Sequence, residues 1–435
     1  MIEYRNLRVA LLGGGTVGSQ VARLLLENGE EFAGRVGAGL DLVGIAVRDL
    51  EAERDVPLPR ELLTTDAAAL IRSADIVIEP IGGIEPARTY ILDALGAGAD
   101  VITGNKALLA AHGGELFAAA EQVGAQLYYE AAVAGAIPII RPLRDSLAGD
   151  RITRIMGIVN GSTNFILDRM DRFGDSMADA SKTAFDLGFL EADPTLDLEG
   201  YDAAQKATIL ASLAFHSAVA ESDVYREGIT EITHDQIVAA QDAGFVIKLL
   251  AITERLVDEN GVEGVSARVY PALIDREHPL ASVHGGNNAV FVEAEAAGPL
   301  MFYGAGAGGV ETASAVLGDL VSAARRHVVG GPGVAESHGS GLPVFGLGAV
   351  LTRYQVTLAV ADAPGVLAQI AGVFAEHGVS LRSVLQTVRP GPTPTATLVI
   401  GTHHAREAAL AATVESLRAA AAVTDVLSVL RVEGN

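Results

Sequence analysis

The sequence predicts an α/β chain in three parts: a doubly wound parallel sheet, an α+β region on a mixed sheet, and a small ferredoxin-like unit at the end. Three observations carry this reading. Over roughly the first 140 residues, short β-branched runs alternate with stretches of helical apolar spacing, the pattern of a parallel sheet covered by helices. From Arg151 the pattern changes to one strand, several helices and then returning strands. After Gly330 to Gly348, which is rich in Gly, Pro and Ser, the remaining residues read β-α-β-β-α-β.

Composition narrows the functions available. A chain of 435 residues that is 49% hydrophobic buries large cores and divides into several domains. Its formal charge of -23 argues against nucleic acid or an anionic membrane surface as partner. Cysteine is absent, which excludes disulfides, thiolate metal sites and any mechanism through a thioester or thiohemiacetal. The first residues run almost directly into a strand without a signal-like apolar region, and the longest bland apolar run, Ala131 to Ile140, is too short to span a bilayer. A cytoplasmic location is therefore expected.

Leu7 to Leu12 suits a buried parallel strand, and Gly13-Gly14-Gly15-Thr16-Val17-Gly18 follows at once, with helical spacing from Ser19 to Glu27. Strand, G-x-G-x-x-G turn and helix together are the Rossmann fingerprint of a dinucleotide site: glycines admit the pyrophosphate and the helix N-terminus supplies amides. Gly29 to Gly39 reads as a long loop, and Asp41 to Val47 as the second strand. That strand runs out into Arg48 where an NAD site would carry an acidic residue, so a 2′-phosphate and NADP are favoured over NAD.

Further strands are expected at Asp75 to Glu79, Asp100 to Thr103 and Gln126 to Glu130, with helices at Pro86 to Leu95 and Leu108 to Val123. Two of these strands end at the ligand crevice with unusual residues: Ile81-Gly82-Gly83 makes a turn able to lie against a nicotinamide, and Thr103-Gly104-Asn105 delivers Lys106. The small-residue stretch Glu130 to Pro138 allows backbone carbonyls to approach a ligand or ion. Ile152 to Val159 is the next strand, and helices are predicted at Phe165 to Met170, Met177 to Leu187, Tyr201 to Ala220 and His234 to Ala243. Strands return at Val246 to Glu254, Val265 to Pro271 and Asn288 to Ala294. A second glycine cluster, Phe302 to Gly309 and including Gly308, opens a helix from Thr312 to Arg326 that can pack back on the first domain. The C-terminal unit has strands at Tyr354 to Ala361, Ser380 to Val388, Thr395 to Gly401 and Val426 to Val432, with helices at Val366 to His377 and Arg406 to Ala421.

The chemistry concentrates in Glu191 to Lys206, E-A-D-P-T-L-D-L-E-G-Y-D-A-A-Q-K. Asp202 and Lys206 lie i,i+4 and share a helix face; such a pair on a surface contributes only about 0.3–0.5 kcal/mol. Here the helix continues as an apolar, small-residue segment, which sets the lysine at the edge of a buried wall. A partly buried lysine beside carboxylates is a candidate acid or base.

With these pieces placed, the chain resembles homoserine dehydrogenase in its long form with a C-terminal ACT domain. The matching stretches are G-G-G-T-V-G at 13–18, T-G-N-K-A-L at 103–108, E-A-A-V-A-G-A-I-P at 130–138, G-I-V-N-G-S-T-N-F-I-L at 157–167, and G-F-L-E-A-D-P-T-L-D-L-E-G-Y-D-A-A-Q-K at 188–206. The resemblance implies NADP-dependent interconversion of L-homoserine and L-aspartate 4-semialdehyde in threonine, methionine and isoleucine biosynthesis. It implies Lys206 as acid/base, with Asp202 and Lys106 beside it, and Glu191, Asp202, Lys106 and Gly188 at the substrate. The cofactor would meet Gly13, Gly15, Thr16, Val17, Gly18, Arg48, Gly82, Lys106, Gly188 and Gly308. A monovalent cation, sodium in the usual case, would take the carbonyls of Glu130, Val133, Gly135 and Ile137. Threonine is the implied effector at the ACT domain, and a homodimer or homotetramer the implied assembly. The expected division is 1–140 for the NAD(P)-binding Rossmann domain, 141–310 for the substrate and dimerisation domain, 311–330 for the returning helix, 331–350 for a linker and 351–435 for the ACT domain. Two rival readings are a catalytically inert amino-acid and NADPH sensor, and a related reductase of another aldehyde. An intact lysine and carboxylate set speaks against the sensor.

Overall fold

The computed structural model of the chain describes residues 5–54, 56–334, 336, 339–389 and 395–434. Part of the expected linker, at Ala335, Ser337 and His338, lies outside the described residues, as do Met1 to Tyr4 of the N-terminal stretch.

The chain opens with β1 (Leu7–Leu12), and Gly13 to Gly15 turn it into α1 (Thr16–Glu27). The stretch 29–39, expected as a loop, is mostly helix: α2 (Gly29–Val36) ends at Gly37, whose φ of +87° a glycine adopts without penalty. Glycine content misled there. Phe32 and Val36, four residues apart, give α2 a buried stripe, and Glu30 and Glu31 occupy the first turn, where the dipole favours them. There follow β2 (Leu40–Ala46), β3 (Leu63–Thr64), α3 (Ala67–Ser73), β4 (Ile76–Glu79), α4 (Ala87–Gly96), β5 (Asp100–Thr103), α5 (Lys106–Val123) and β6 (Leu127–Tyr128). Next come β7 (Ile152–Ile158), α6 (Gly161–Phe173), α7 (Met177–Asp186), α8 (Thr195–Leu198) and α9 (Tyr201–Phe215). α9 stops short of the expected Ala220, because His216 turns to φ +53°. β8 (Tyr225–Arg226), α10 (His234–Asp242), β9 (Phe245–Val257), β10 (Glu263–Asp275), β11 (Asn287–Ala294), β12 (Gly298–Ala305) and α11 (Gly309–Val329) lead to the last part. β12 takes in the first half of the second glycine cluster, which the sequence did not predict as a strand. The chain ends with β13 (Leu351–Ala361), α12 (Val366–Glu376), β14 (Leu381–Arg389), β15 (Thr395–Thr402), β16 (Ala405–Arg406), α13 (Glu407–Ala419) and β17 (Val423–Glu433).

Two compact units form. The first comprises Met1–Gly161, Gln205–Glu221 and Asn287–Gly341. Its parallel sheet has the order β3-β2-β1-β4-β5-β6, the Rossmann arrangement, which reverses between β1 and β4 and opens a ligand crevice at their carboxyl ends. Val9, Leu11, Ile76 and Ile78 of the sheet pack with Val21 and Leu25 of α1 and with Val316 and Leu320 of α11. α11 thus completes a core whose strands lie more than 200 residues earlier in the sequence. In the same unit β12, β11 and β7 form an antiparallel sheet.

The second unit comprises Ser162–Ala204, Ser222–Gly286 and Leu342–Asn435. β9 and β10 pair antiparallel along their lengths, and β10 pairs in parallel with β17, so the sheet is mixed. Strands β17, β13, β15 and β14 stand side by side with α12 and α13 on one face, the expected ferredoxin-like arrangement. Tyr354, Val356 and Leu358 pack there against Ile370, Phe374 and Leu417. Among the described residues, no helix is long and apolar enough to cross a membrane.

Candidate active site

In the first unit the glycine turn is shaped for a dinucleotide. A Cβ on Gly18 would sit 2.0 Å from the Gly13 carbonyl oxygen, so only glycine lets α1 pack this tightly against the end of β1. Gly15 caps α1 without a side chain and has open space around its Cβ direction, which leaves room for a pyrophosphate at the helix N-terminus. Thr16 and Val17 are the first residues of that helix. Gly308 caps α11 at φ +140°, and a Cβ on the next residue, Gly309, would lie 3.0 Å from Thr16 Cγ2. Two helix N-termini therefore converge on the glycine turn.

Arg48 is exposed just past β2, and the neighbouring Asp49 carboxylate is engaged by the Glu51 amide at 2.9 Å. A second guanidinium, not anticipated from the sequence, belongs to Arg54: its Nε is 3.3 Å from the Cβ direction of Gly14, and its side chain donates to the Asp49 carbonyl at 2.6 Å. The loop folds Arg54 back over the glycine turn. Nothing in linear spacing announced that.

Glu79, the last residue of β4, is fully buried. Its Oε1 accepts from the amides of Ile81 at 2.6 Å and Gly82 at 3.2 Å, and its Oε2 accepts from Thr103 Oγ1 at 2.7 Å. Burial pushes this carboxyl above its ordinary value, against the pull of those donors. Asn105 extends the network, donating from Nδ2 to the Gly83 carbonyl at 2.6 Å and capping α5 through Leu108 N at 3.1 Å. One buried carboxylate thus fixes both crevice loops, the turn with Gly82 and the one that delivers Lys106. A charged residue closing the otherwise apolar I-V-I-E run was the sequence signal for it. Lys106 is the first residue of α5, where a cation opposes the helix dipole at a cost of about 0.3–1 kcal/mol. A bound anion would reverse that cost.

Lys206 is half-buried and donates from Nζ to the Val159 carbonyl at 2.6 Å. The loop from Glu130 lies in this unit too. The Glu130 carboxylate is spent on structure: it accepts from the amides of Ile139 at 2.5 Å, Ile140 at 2.7 Å and Arg141 at 3.0 Å, and from Arg141 Nε at 2.8 Å. The Glu130 amide donates to Asp319 at 2.8 Å, and burial pushes that carboxyl up to about 7. Ala134 and Gly135 both hold left-handed φ, +58° and +59°, and a Cβ on Gly135 would lie 2.4 Å from the Gly306 carbonyl oxygen. Among the described residues no three His, Asp or Glu side chains cluster to hold a metal ion. A cation at 130–137 would need backbone carbonyls.

The second unit carries Gly188, Glu191 and Asp202. Gly188 turns at φ +80°, and the following Phe189 anchors the loop: its ring stacks on Phe165 at 4.6 Å and its carbonyl accepts from Ser162 Oγ at 2.6 Å. Glu191 is exposed and Asp202 buried. α9 starts after Gly200, at φ +79°, with Arg226 stacked 3.5 Å over the Tyr201 ring. Its first turn, with Asp202, belongs to the second unit and the remainder, with Lys206, to the first.

Residues 13–130 match the family model described as homoserine dehydrogenase, NAD binding domain; residues 138–321 match that of homoserine dehydrogenase, and residues 354–422 that of the ACT domain. The chain is 54% identical to the homoserine dehydrogenase of Corynebacterium glutamicum over 427 residues, 98% of this chain and 95% of that protein. It is similar to the crystal structure of a homoserine dehydrogenase from Thiobacillus denitrificans, with TM-score 0.91 and 38% identity over 99% of each chain. A hyperthermophilic archaeal homoserine dehydrogenase mutant in complex with NADPH is similar over 73% of this chain and 97% of its own, with TM-score 0.60 and 28% identity.

Proposed function

The chain belongs to the homoserine dehydrogenase family, and from that premise we propose how its residues carry out the reaction. It is an oxidoreductase that interconverts L-homoserine and L-aspartate 4-semialdehyde, with an NAD(P)-binding domain and a C-terminal ACT domain. The bound dinucleotide supplies or accepts the hydride. The protein must then bind the amino acid, exclude water and manage one proton at the substrate oxygen.

Lys206 performs that last task. An ammonium has three donors, and the Val159 carbonyl takes one of them, fixing the direction of the head group. In reduction Lys206 stabilises the developing alkoxide and protonates it; in oxidation it takes the proton back. Asp202, one turn earlier on α9, holds the same region of the substrate, and Lys106 stands between substrate and cofactor. Glu191 and the backbone at Gly188 bind the amino acid portion. The dinucleotide lies on Gly13, Gly15, Thr16, Val17 and Gly18, with Gly82 and Gly308 against it. Arg48 and Arg54 take a 2′-phosphate, which makes NADP the preferred form. A monovalent cation, sodium in our reading, sits on the carbonyls of Glu130, Val133, Gly135 and Ile137.

The ACT domain answers to an amino acid, which we take to be threonine, in a cytoplasmic homodimer or homotetramer serving threonine, methionine and isoleucine biosynthesis. For the domain limits we keep 1–140, 141–310, 311–330, 331–350 and 351–435.

The observation that carries the mechanism is the fixed Lys206 ammonium on the helix whose first turn holds buried Asp202. NADPH oxidation with L-aspartate 4-semialdehyde tests it. Lys206→Ala should lose about 10²–10⁴ in kcat with cofactor affinity unchanged. A variant as fast as the wild type refutes the assignment.

A further inference from the structure

In the second unit, α9 is entered through the turn Leu198 to Gly200, and the segment Arg226 to Thr230 holds that turn from outside. The Ile229 amide donates to the Leu198 carbonyl at 2.8 Å, and Thr230 Oγ1 donates to Glu199 Oε1 at 3.1 Å. A Cβ on Gly228 would sit 2.3 Å from the Leu198 carbonyl oxygen and 2.6 Å from Glu199 Cα, so only glycine lets the two backbones come this close. Arg226 completes the hold. Its guanidinium donates to the Glu199 carbonyl and lies 3.5 Å over the Tyr201 ring, so one planar group grips the chain on both sides of Gly200.

The holding segment is itself fixed. Arg226 of β8 pairs with Val269 of β10, and the Glu227 amide donates to the Val269 carbonyl at 2.8 Å. The Glu227 carboxylate accepts from Arg431 Nη1 of β17 at 3.0 and 2.9 Å, and Arg431 is buried and held in turn by Glu407 at 2.8 Å. Strand pairing and this ion pair give Arg226 a rigid base.

The turn it grips feeds the residue that matters. Gly200 adopts φ +79°, and its carbonyl accepts from the Ala204 amide at 3.0 Å, which opens the hydrogen-bond ladder of α9. Asp202 lies in that first turn, buried. The leading amides of a helix have no partners within it, so the direction of a first turn depends on the chain that enters it. Whatever fixes Glu199 and Tyr201 therefore fixes Asp202.

We propose that Arg226 is a positioning residue for the reaction: it locks Glu199 and Tyr201, and so sets the direction in which Asp202 meets the substrate. The inference rests on the substrate role proposed for Asp202 above. The contact needs a planar fork, because a guanidinium donates to the carbonyl in its plane while its face covers the ring, and a lysine ammonium is a point charge with no such face. The Tyr201 ring is the other half of the contact.

Steady-state oxidation of L-homoserine with NADP by the full-length protein tests it, with KM measured separately for each. Arg226→Lys should raise KM for L-homoserine about three- to tenfold and leave KM for NADP unchanged. Tyr201→Leu should follow it, and Tyr201→Phe, which keeps the ring, should match the wild type. Asp202→Asn alone should raise the same KM about ten- to a hundredfold, and Arg226→Lys added to it should change nothing more, because the direction of a lost carboxylate no longer matters. A merely loosened fold would raise both KM values, or add in full to Asp202→Asn. Either result overturns the inference, as do Arg226→Lys and Tyr201→Leu variants with wild-type KM beside an impaired Asp202→Asn. An Asp202→Asn variant with wild-type KM instead removes the substrate role of Asp202, and the inference falls with it.

Discussion

Replacing Glu79 by leucine removes the acceptor on which both crevice loops depend. The Thr103 hydroxyl is buried, and losing its partner there costs about 1–3 kcal/mol. The Ile81 and Gly82 amides belong to exposed residues, so water replaces part of what Glu79 gives them, at a further cost of about 1 kcal/mol. Glu79→Leu should therefore lose about 2–4 kcal/mol in chemical unfolding and raise KM for NADPH tenfold or more, while Glu79→Gln, which keeps one oxygen for the two amides, stays within about 1.5 kcal/mol of the wild type. The two variants also part company with pH. Burial raises the Glu79 carboxyl above its ordinary 4.5, so the folded chain binds this proton more tightly than the unfolded chain. The stability this adds is complete below 4.5 and is lost as pH rises through the raised value. Glu79→Gln is neutral throughout, so its stability relative to the wild type should improve as pH rises above 4.5 and through the raised value. Denaturant titrations at several pH values, with NADPH kinetics alongside, measure both effects. A leucine variant matching the wild type in stability and in KM would refute the bracing role.

Arg48→Ala and Arg54→Ala should each raise KM for NADPH about tenfold and leave KM for NADH unchanged, measured side by side; equal effects on both cofactors would remove the 2′-phosphate from the argument. Lys248 is buried, donating to Asn164 Oδ1 at 2.9 Å and the Val283 carbonyl at 2.6 Å, and burial lowers its pKa to about 8. Its folded value lies below the unfolded 10.5, so the stability it contributes is present above 10.5 and lost as pH falls through about 8. That amounts to roughly 3 kcal/mol. Lys248→Met should abolish this part of the pH dependence in denaturant titrations, and an unchanged slope between wild type and variant would contradict it. Exchanging sodium for a bulky quaternary ammonium in the assay buffer should lower kcat if carbonyls at 130–137 hold a monovalent cation, and kcat should return when sodium is restored.

Much of the fold was legible because period and punctuation agree along the chain. β1, β5 and the boundary at Glu27 fall where the apolar runs and glycines put them. The errors come from composition overriding periodicity. α2 was hidden by glycines at 29, 34 and 37, although only the last of these terminates the helix. β12 was hidden in the same way, its Gly304 lying within a regular antiparallel pairing with Asn288. The candidate residues that the sequence singled out rest on local pattern: the glycine turn, Lys106 after β5, and the Asp202 and Lys206 spacing. Glu79 and Arg54 act through tertiary contacts, to a neighbouring strand end and across a loop; the charge closing the I-V-I-E run hints at the first, and linear spacing carries no trace of the second.

The acidic stretch from Glu191 to Asp202 shows how structure divides residues that composition presents as equals. Asp193 accepts from Thr195 Oγ1 at 2.6 Å and Thr195 N at 3.1 Å, and these bonds hold its carboxyl below the ordinary value. It is a turn residue at the start of α8. Glu199 accepts from Thr230 at 3.1 Å, and its carbonyl accepts from Arg226, whose guanidinium covers the Tyr201 ring; both contacts secure the chain where α9 begins. A carboxylate spent on the fold has little left for a ligand, because each bond it already holds must be broken or shared when substrate arrives. Glu191 and Asp202 differ in another way, one exposed on a loop pinned by Phe189 and the other buried in the first turn of α9. An exposed carboxylate on a fixed loop suits an ammonium group arriving from water, and a buried one suits a hydroxyl that must be held without solvent. The separate roles proposed for them are consistent with that difference in surroundings, since their side chains alone are nearly alike.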